Sequence, residues 1–571
     1  MTRSRSHHRR ASAERAPSPW PSPWPSPWLA IVALAVIGTA LAVWPSFLDS
    51  FRFRNPKALV LGVAGALAAL GFAWRKRDPR LTIADLALAG YFAAGIESAL
   101  LHGQIWTRGA SWASQELAAA LVLWAASRAV AERPDHHERI LRIIAASAAL
   151  VAALVVLEAL GVQLLEARAR PVATIGNRNW VALYLATALP LVVTRQLFAP
   201  ARWGLAQLAL IGAALIMTRS RGAWLAVLVV AAGALALLAW RRVRRAPPLG
   251  LARRAVIATA LTGGATLAAA TAIPWPGLHW RDPSPYAASL ERIVEHDVGT
   301  GRLRADQLRV GVAIAAAHPV LGVGPLGWHD AFDEHAHAAP GRHVDGSYGS
   351  PVPPGFLLRI AVETGLVGLL GFAVAMACFV CAAVRRLRDD PARRPAVIAT
   401  LAGLVTVSIH GVFEAPLYNA ESLAVIAVLA GTLRSSRGWG LVIPRNLGRI
   451  VVAAIGTFAL AIAVLRVAGS PTDSLDASRD GQRVFPLPEV VESIALGLTR
   501  QGRCEDAATE LAQAVRWSPH HVAPMVRAAY CELRAGDRSH GTELLRRALA
   551  VEPHERDEVD RVARRFHIDG L

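Results

Sequence analysis

Apolar runs the length of a bilayer crossing recur along this chain, divided by short polar breaks. A helix needs about 20 apolar residues to cross a hydrocarbon core roughly 30 Å thick. Thirteen runs reach or approach that length, at 28–48, 57–74, 81–101, 112–131, 140–162, 180–198, 203–218, 222–240, 255–273, 357–384, 395–414, 420–434 and 449–468, the seventh and twelfth being the shortest. The pattern predicts an all-α polytopic membrane protein, with about 12–13 transmembrane helices between residues 28 and 468. Two stretches interrupt it. Residues 274–355 are rich in Gly, Pro, Asp and His, and 484–571 reads as a separate soluble unit.

Composition agrees with that reading. With 571 residues, 54 % apolar and only 6 % aromatic, the chain is too large for one ordinary core and too rich in Ala, Leu and Val for a soluble enzyme. A formal net charge of +19 raises the question of a polyanionic partner, but the arginines lie between the apolar runs. The clusters RKRDPR (75–80), RRVRR (241–245, followed by Arg253 and Arg254) and RRLRDDPARR (385–394) occupy alternate breaks. Positive residues collect on the cytoplasmic side of membrane proteins, so the excess is topological and nucleic acid is not expected as a partner. Residues 1–27, with Arg3, Arg5, Arg9, Arg10 and Arg15 and most of the run PSPWPSPWPSPW (17–28), form a cytoplasmic tail that proline keeps extended. Run 28–48 is too long for a signal-peptide core and is expected to remain as an anchor. Thirteen crossings then leave both 274–355 and the C-terminus outside the cytoplasm.

The C-terminal unit has an internal period. Gly502 and Gly536, Leu511 and Leu545, Ala514 and Ala548, and Pro519 and Pro553 are each 34 residues apart, a spacing that resembles tetratricopeptide repeats. Two repeats make a short array, expected to lean on the membrane domain or a partner. It serves either as a peptide-binding face or as a structural cap, and its two glycines are expected to permit close helix contact. Cys378 and Cys381 fall in the tenth run, where small packable side chains are the simplest account. Cys504 and Cys531 lie in the tail, where a disulfide is open.

The candidate chemistry lies on the outer face. Arg219 and Arg221 occupy a minimal break in LIMTRSRGAWLAVLVV (215–230), where topology gives arginine no task. TIGNRNWVALYLATALP (174–190) opens the sixth run from the same side with Asn177, Arg178 and Asn179, and 299–328 adds Arg302, Arg304 and Arg309. A planar guanidinium grips phosphate with two prongs, and a helix N-terminus adds backbone donors, so an anionic headgroup is the natural ligand. Interfacial snorkelling accounts for any single arginine, though less well for the ensemble.

The motifs TIGNRNW, TRSRGAW, HPVLGVGPLGW (318–328) and AVETGLVGLLGF (361–372) occur in the order and spacing of the O-antigen ligase and O-antigen polymerase superfamily, which the chain resembles over about residues 170–435. The resemblance implies a multi-spanning transferase at the periplasmic face of a bacterial inner membrane. Its donor would be a glycan on undecaprenyl pyrophosphate, displaced by an acceptor hydroxyl on a glycan, lipid or protein, with no cofactor and no metal. Arginines would hold the leaving pyrophosphate, and Arg221, Arg178, Arg302 and Arg219 are the candidates.

Two departures stand out. Arg178 replaces the proline of the usual Gly-Asn-Pro-Asn. The histidine usual about nine residues before the Glu-Thr-Gly glutamate is Pro354, counted back from Glu363. His343, in GRHVDGSYG, is the nearest substitute as a base, and His318, His329, His335 and His337 also precede the helix. Glu363 is either a catalytic acid or the i+4 partner of Arg359. His410 and Glu414 either line the same cavity or are satisfied by packing. WHDAFDEHAH (328–337) reads as a solvated polar loop rather than a metal site, since a loop lacks helical ligand spacing. A non-catalytic scaffold of polysaccharide assembly and a polytopic transporter are the competing functions. The sugar, the acceptor, and ligase against polymerase stay open.

Overall fold

A computed structural model describes residues 26–568, apart from 45–48, 75–79, 104, 163–164, 166–170, 246–250, 279, 281–283, 292–298, 337–354, 435–439, 471–473, 487, 518 and 552–555. The described chain is almost entirely helical. Its membrane helices are α1 (Pro27–Leu41), α2 (Asp49–Ala73), α3 (Ile83–Leu101), α4 (Ala110–Glu132), α5 (His136–Ala159), α6 (Arg178–Phe198), α7 (Arg202–Met217), α8 (Arg221–Val243) and α9 (Arg253–Ala272). An insertion follows, with α10 (Pro285–Glu291), α11 (Gly299–Ala317) and α12 (Trp328–Ala336), so much of the stretch expected to be loop is helix. The bundle resumes with α13 (Phe356–Asp389), α14 (Arg394–His410), α15 (Ala420–Leu433) and α16 (Arg445–Ala468).

Among the described residues, nine helices are long and apolar enough to cross a bilayer, and α1, α7 and α15 are shorter apolar helices. With α4, they fall on the thirteen apolar runs. The chain is an all-α polytopic membrane protein. At 14 residues, α15 is about 21 Å long, and it lies buried among α4, α14 and their neighbours rather than facing lipid.

The bundle has two distinct ends. The basic end carries the arginine clusters and is clipped by a two-stranded antiparallel sheet, β1 (Arg80–Thr82) with β2 (Gly440–Val442). There Arg434 binds Asp85 at 2.9 Å and the carbonyl of Arg80 at 3.1 Å. The other end receives the insertion, so it is called here the insertion end. α1 stops before it, and the buried Lys57 of α2 donates to the carbonyls of Thr39, Ala40 and Ala42 at 2.8–3.2 Å. A cation at a helix C-terminus answers carbonyls that the broken helix leaves without partners.

The Glu-Thr-Gly motif is a break inside α13. Gly365 takes φ 62° and ψ −165°, which divides the 34 residues into two helical pieces. Across that break lies the Gly-rich segment 319–324, where Leu366 N–H donates to the Pro319 carbonyl at 2.8 Å and Val323 N–H to the Val362 carbonyl at 2.8 Å. A Cβ on Gly365 would sit 2.1 Å from the Val320 carbonyl oxygen, and one on Gly322 would sit 2.3 Å from that of Val362. Two sequence motifs are thus one docking joint, and glycine is required on both sides.

After α16 come α17 (Leu475–Val484), α18 (Pro488–Arg500), α19 (Cys504–Trp517), α20 (Val522–Ala535), α21 (Arg538–Val551) and α22 (Arg556–Arg565). Their core is continuous with Ile462 of α16 and Ala110 of α4, so the tail leans on the bundle. Gly502 and Gly536 do not serve close helix contact. Both have positive φ, 78° and 96°, and nothing lies within 4 Å of a Cβ on Gly536, so their task is to let the chain turn after a helix. The close approach is made by Gly541, where a Cβ would lie 2.6 Å from Leu533.

Candidate functional site

At the insertion end, polar side chains from distant segments converge. The first segment is the break between α7 and α8. Arg219 adopts φ 53°, a left-handed residue that reverses the chain within Thr218–Ser220 and sends the two arginines apart. Arg219 donates through Nε to Ser289 Oγ at 2.8 Å and lies over the Trp280 ring at 5.4 Å, tying the turn to the insertion. Arg221 instead opens α8, whose N-cap Ser220 makes no side-chain cap bond. A Cβ on the adjoining Gly222 would be 3.4 Å from Phe413 and 3.6 Å from His410.

The second segment is Gly-Asn-Arg-Asn. Gly176 has φ 89°, and a Cβ there would collide with Phe53 at 2.3 Å. Asn177 caps α6 by accepting from Asn179 N–H at 2.8 Å, and Arg178 stands exposed on the first turn, where its charge and that of Arg221 act on each other. Two helix N-termini and two guanidinium groups thus add positive potential in one neighbourhood.

A carboxylate sits among them. Glu414 lies on the irregular turn after α14, and its Oε1 accepts from Asn179 Nδ2 at 3.0 Å and from Arg304 of α11 at 2.7 Å. Burial raises its pKa above the ordinary glutamate value, against the pull of Arg304 and Asn179.

The other expected residues fall elsewhere. Arg302 is on α11, but its side chain is outside the described residues; Arg304, two residues on, reaches Glu414. His343 and Pro354 also lie outside the described residues. Glu363 is clamped by Arg359 Nε at 3.0 Å and by the Tyr418 hydroxyl, and the Arg359 guanidinium lies 4.0 Å over the Tyr418 ring and 3.7 Å from Glu116. That arrangement is a buried joint between α4, α13 and the turn before α15. His410 is fully buried, and neither ring nitrogen has a hydrogen-bond partner among the described residues.

Sequence reasoning overlooked Glu116 and Arg54. An acidic residue within run 112–131 was a readable signal, because an ionisable group at membrane depth needs a partner. Arg54, over the Trp180 ring at 4.9 Å, adds another guanidinium beside the Gly-Asn-Arg-Asn turn, and no linear signal marks that contact. In WHDAFDEHAH, helix α12 replaces the expected loop. There Asp330 binds Arg108, and His335 donates from Nδ1 to the Ala331 carbonyl at 2.9 Å. His335 packs near His318, which packs near His102, with ring centroids 6.0 and 6.1 Å apart. Among the described residues, no group of three or more His, Cys, Asp or Glu side chains is arranged to hold a metal ion.

Residues 206–373 match the family model described as O-Antigen ligase. No curated protein matches the chain. The matched stretch runs from α7 through the Arg221 turn and the insertion to the first helical piece of α13 and beyond the Gly365 break, so it contains Arg219, Arg221, Arg304 and the docking joint. The match supports a multi-pass bacterial membrane protein of cell-surface polysaccharide assembly whose chemistry is glycosyl transfer.

Proposed function

We propose that the insertion end transfers a glycan from an undecaprenyl-pyrophosphate donor to an acceptor hydroxyl at the periplasmic face of the inner membrane. The supporting observation is that Arg178 and Arg221 open two helices and their charges act on each other, while Arg304 and Asn179, from the Arg178 turn, hold the Glu414 carboxylate. A departing pyrophosphate makes the largest electrostatic demand of such a transfer, and preorganised guanidinium groups and helix dipoles meet it without metal or nucleotide. In this reading Arg221 and Arg178 hold the pyrophosphate. Arg219, engaged with Ser289 and Trp280, positions the insertion. The N-terminus is cytoplasmic and the tail periplasmic, where a tetratricopeptide-like array would present a surface to a protein partner.

Membranes containing the protein, supplied with a lipid-linked glycan donor and an acceptor glycan, lipid or protein, test this. Glycan should appear on an acceptor only when donor and protein are both present. Absence of transfer with every acceptor class, with the protein intact, would leave a scaffold.

A further inference from the structure

The position at which a base is expected by resemblance is a proline, so the proton of the acceptor hydroxyl needs another destination. We propose that Glu414 is the general base of the transfer. The assignment rests on the transfer reading above and identifies the residue that activates the acceptor.

Geometry separates Glu414 from its competitors. Glu363 has one oxygen on Arg359 and the other on Tyr418, and is 1 % exposed. Asp330 is taken by Arg108, and His410 is sealed beneath Gly222. Glu421 and Glu116 are likewise enclosed among helices. Glu414 differs in having one carboxylate oxygen outside its hydrogen bonds while its side chain is partly exposed. Both of its hydrogen bonds fall on Oε1, the side chain keeps 16 % exposure, and Oε2 has no hydrogen-bond partner among the described residues. Asn179 comes from the turn that carries Arg178, and Phe413, the preceding residue, packs against the Gly222 position next to Arg221. The carboxylate is therefore fixed beside the groups assigned to the leaving pyrophosphate, on a rigid three-way contact of α6, α11 and the turn after α14.

The step balances with these groups alone. Oε2 takes the proton of the acceptor hydroxyl as its oxygen bonds to the anomeric carbon. The bond from that carbon to the phosphate oxygen breaks, and its electron pair leaves with the undecaprenyl pyrophosphate. The carboxylic acid then returns its proton to water. Arg304 and Asn179 hold Oε1, which fixes the carboxylate and offsets part of the burial penalty on its ionised form. The groups that set its titration are Arg304 on α11, Asn179 on α6 and burial by the turn itself, with His410 on α14 also under the charge of Arg304.

The test compares wild-type protein with Glu414→Gln, Glu414→Asp and Glu414→Ala in membranes supplied with lipid-linked donor, measuring transfer, donor retention and protein level. Removing a general base typically costs 10²–10⁴-fold, so Glu414→Gln should lose at least about 100-fold in transfer while retaining donor and accumulating normally. Glu414→Asp should keep a measurable fraction. Wild-type transfer should rise with pH through a single ionisation above the usual glutamate range, and the residual rate of Glu414→Gln should lack that limb. Added formate should restore part of the activity of Glu414→Ala, a rescue that a purely structural carboxylate would not show. Glu414→Gln transferring within about threefold of an active wild type overturns the assignment and leaves the transfer reading standing. Transfer lost together with protein level, without formate rescue, overturns it in favour of a structural ion pair with Arg304. A wild type that transfers nothing overturns both.

Discussion

At the basic end of the bundle Arg434 presents its fork to Asp85, lies 5.2 Å over the Trp124 ring and reaches the Arg80 carbonyl, while Arg386 closes on the carbonyls of Thr432 and Arg434. At the insertion end Arg178 and Arg221 are set near each other on separate helix N-termini, where their charges oppose. The first arrangement satisfies itself. The second sets two positive charges against each other, which costs free energy that a bound anion would offset. The insertion end also contains its own buried joint, Arg359 with Glu363, Tyr418 and Glu116, so the contrast is between arginines that fasten helices and arginines that, in the proposed function, meet a ligand.

The fastening arginines should fail as structure. Arg359→Met leaves Glu363 and Glu116 buried without their cation, and removing one partner of a buried ion pair costs about 3–5 kcal/mol. The variant should accumulate poorly or melt far below wild type when heated detergent extracts are followed by size exclusion. Arg434→Met, at 11 % rather than 2 % side-chain exposure, should melt less early. Equal losses at the two ends would remove the distinction in burial. Gly365→Ala follows in size. A side chain at positive φ costs about 1–2 kcal/mol, and the clash with the Val320 carbonyl adds to it. The insertion should undock, seen as new protease cleavage near 319–324 and reduced transfer with the helices intact.

Smaller effects lie in the tail. Gly536→Ala should cost about 1 kcal/mol, and Gly536→Asn less, because Asn tolerates the left-handed conformation. Melting of the tail in the full-length protein measures both, and a larger loss with Asn would restore the packing role. The Sγ atoms of Cys504 and Cys531 are 2.6 Å apart, and burial pushes the Cys531 thiol up to about 12, which leaves little thiolate to react with a probe. If the tail faces an oxidising periplasm, the two thiols should pair. Protein unfolded after extraction would then take up maleimide at Cys378 and Cys381 alone, and at Cys504 and Cys531 only once reduced. Full labelling without reductant would place the tail in the cytoplasm.

The apolar runs were legible because bilayer thickness sets helix length directly, and each fell on a helix, though the first helix ends at Leu41 and the second begins at Asp49. The Arg219–Arg221 break was legible as an anomaly, since arginine at a lipid boundary needs a reason. The left-handed Arg219 that separates the two side chains was not, because a non-glycine residue gives no warning of positive φ. The Gly365 break was hidden inside run 357–384, which reads as one unbroken helix until the segment 319–324 is seen to occupy it. The Glu414 contacts join residues 235 and 110 positions away, and no local pattern carries that. The contact of Arg304 was not legible for the same reason: which of several arginines on one helix meets the turn after α14 is a fact of packing rather than of sequence. His343 and Pro354 lie outside the described residues, so the histidine question has its physical answer only in the base experiment at Glu414.

The central claim is that the insertion end reserves Arg221 for a pyrophosphate while Arg219 merely ties the turn down, and lysine substitutions test it most directly. Lysine keeps the charge and loses the fork. In reconstituted vesicles with a lipid-linked glycan donor, Arg221→Lys should lower transfer at least about tenfold, the scale of 1.4 kcal/mol or more in transition-state stabilisation. Arg219→Lys should stay within about threefold of wild type, and both proteins should reach wild-type levels in the membrane. Full activity in Arg221→Lys, or equal loss in the two variants, would contradict the account and make both arginines anchors at the lipid boundary.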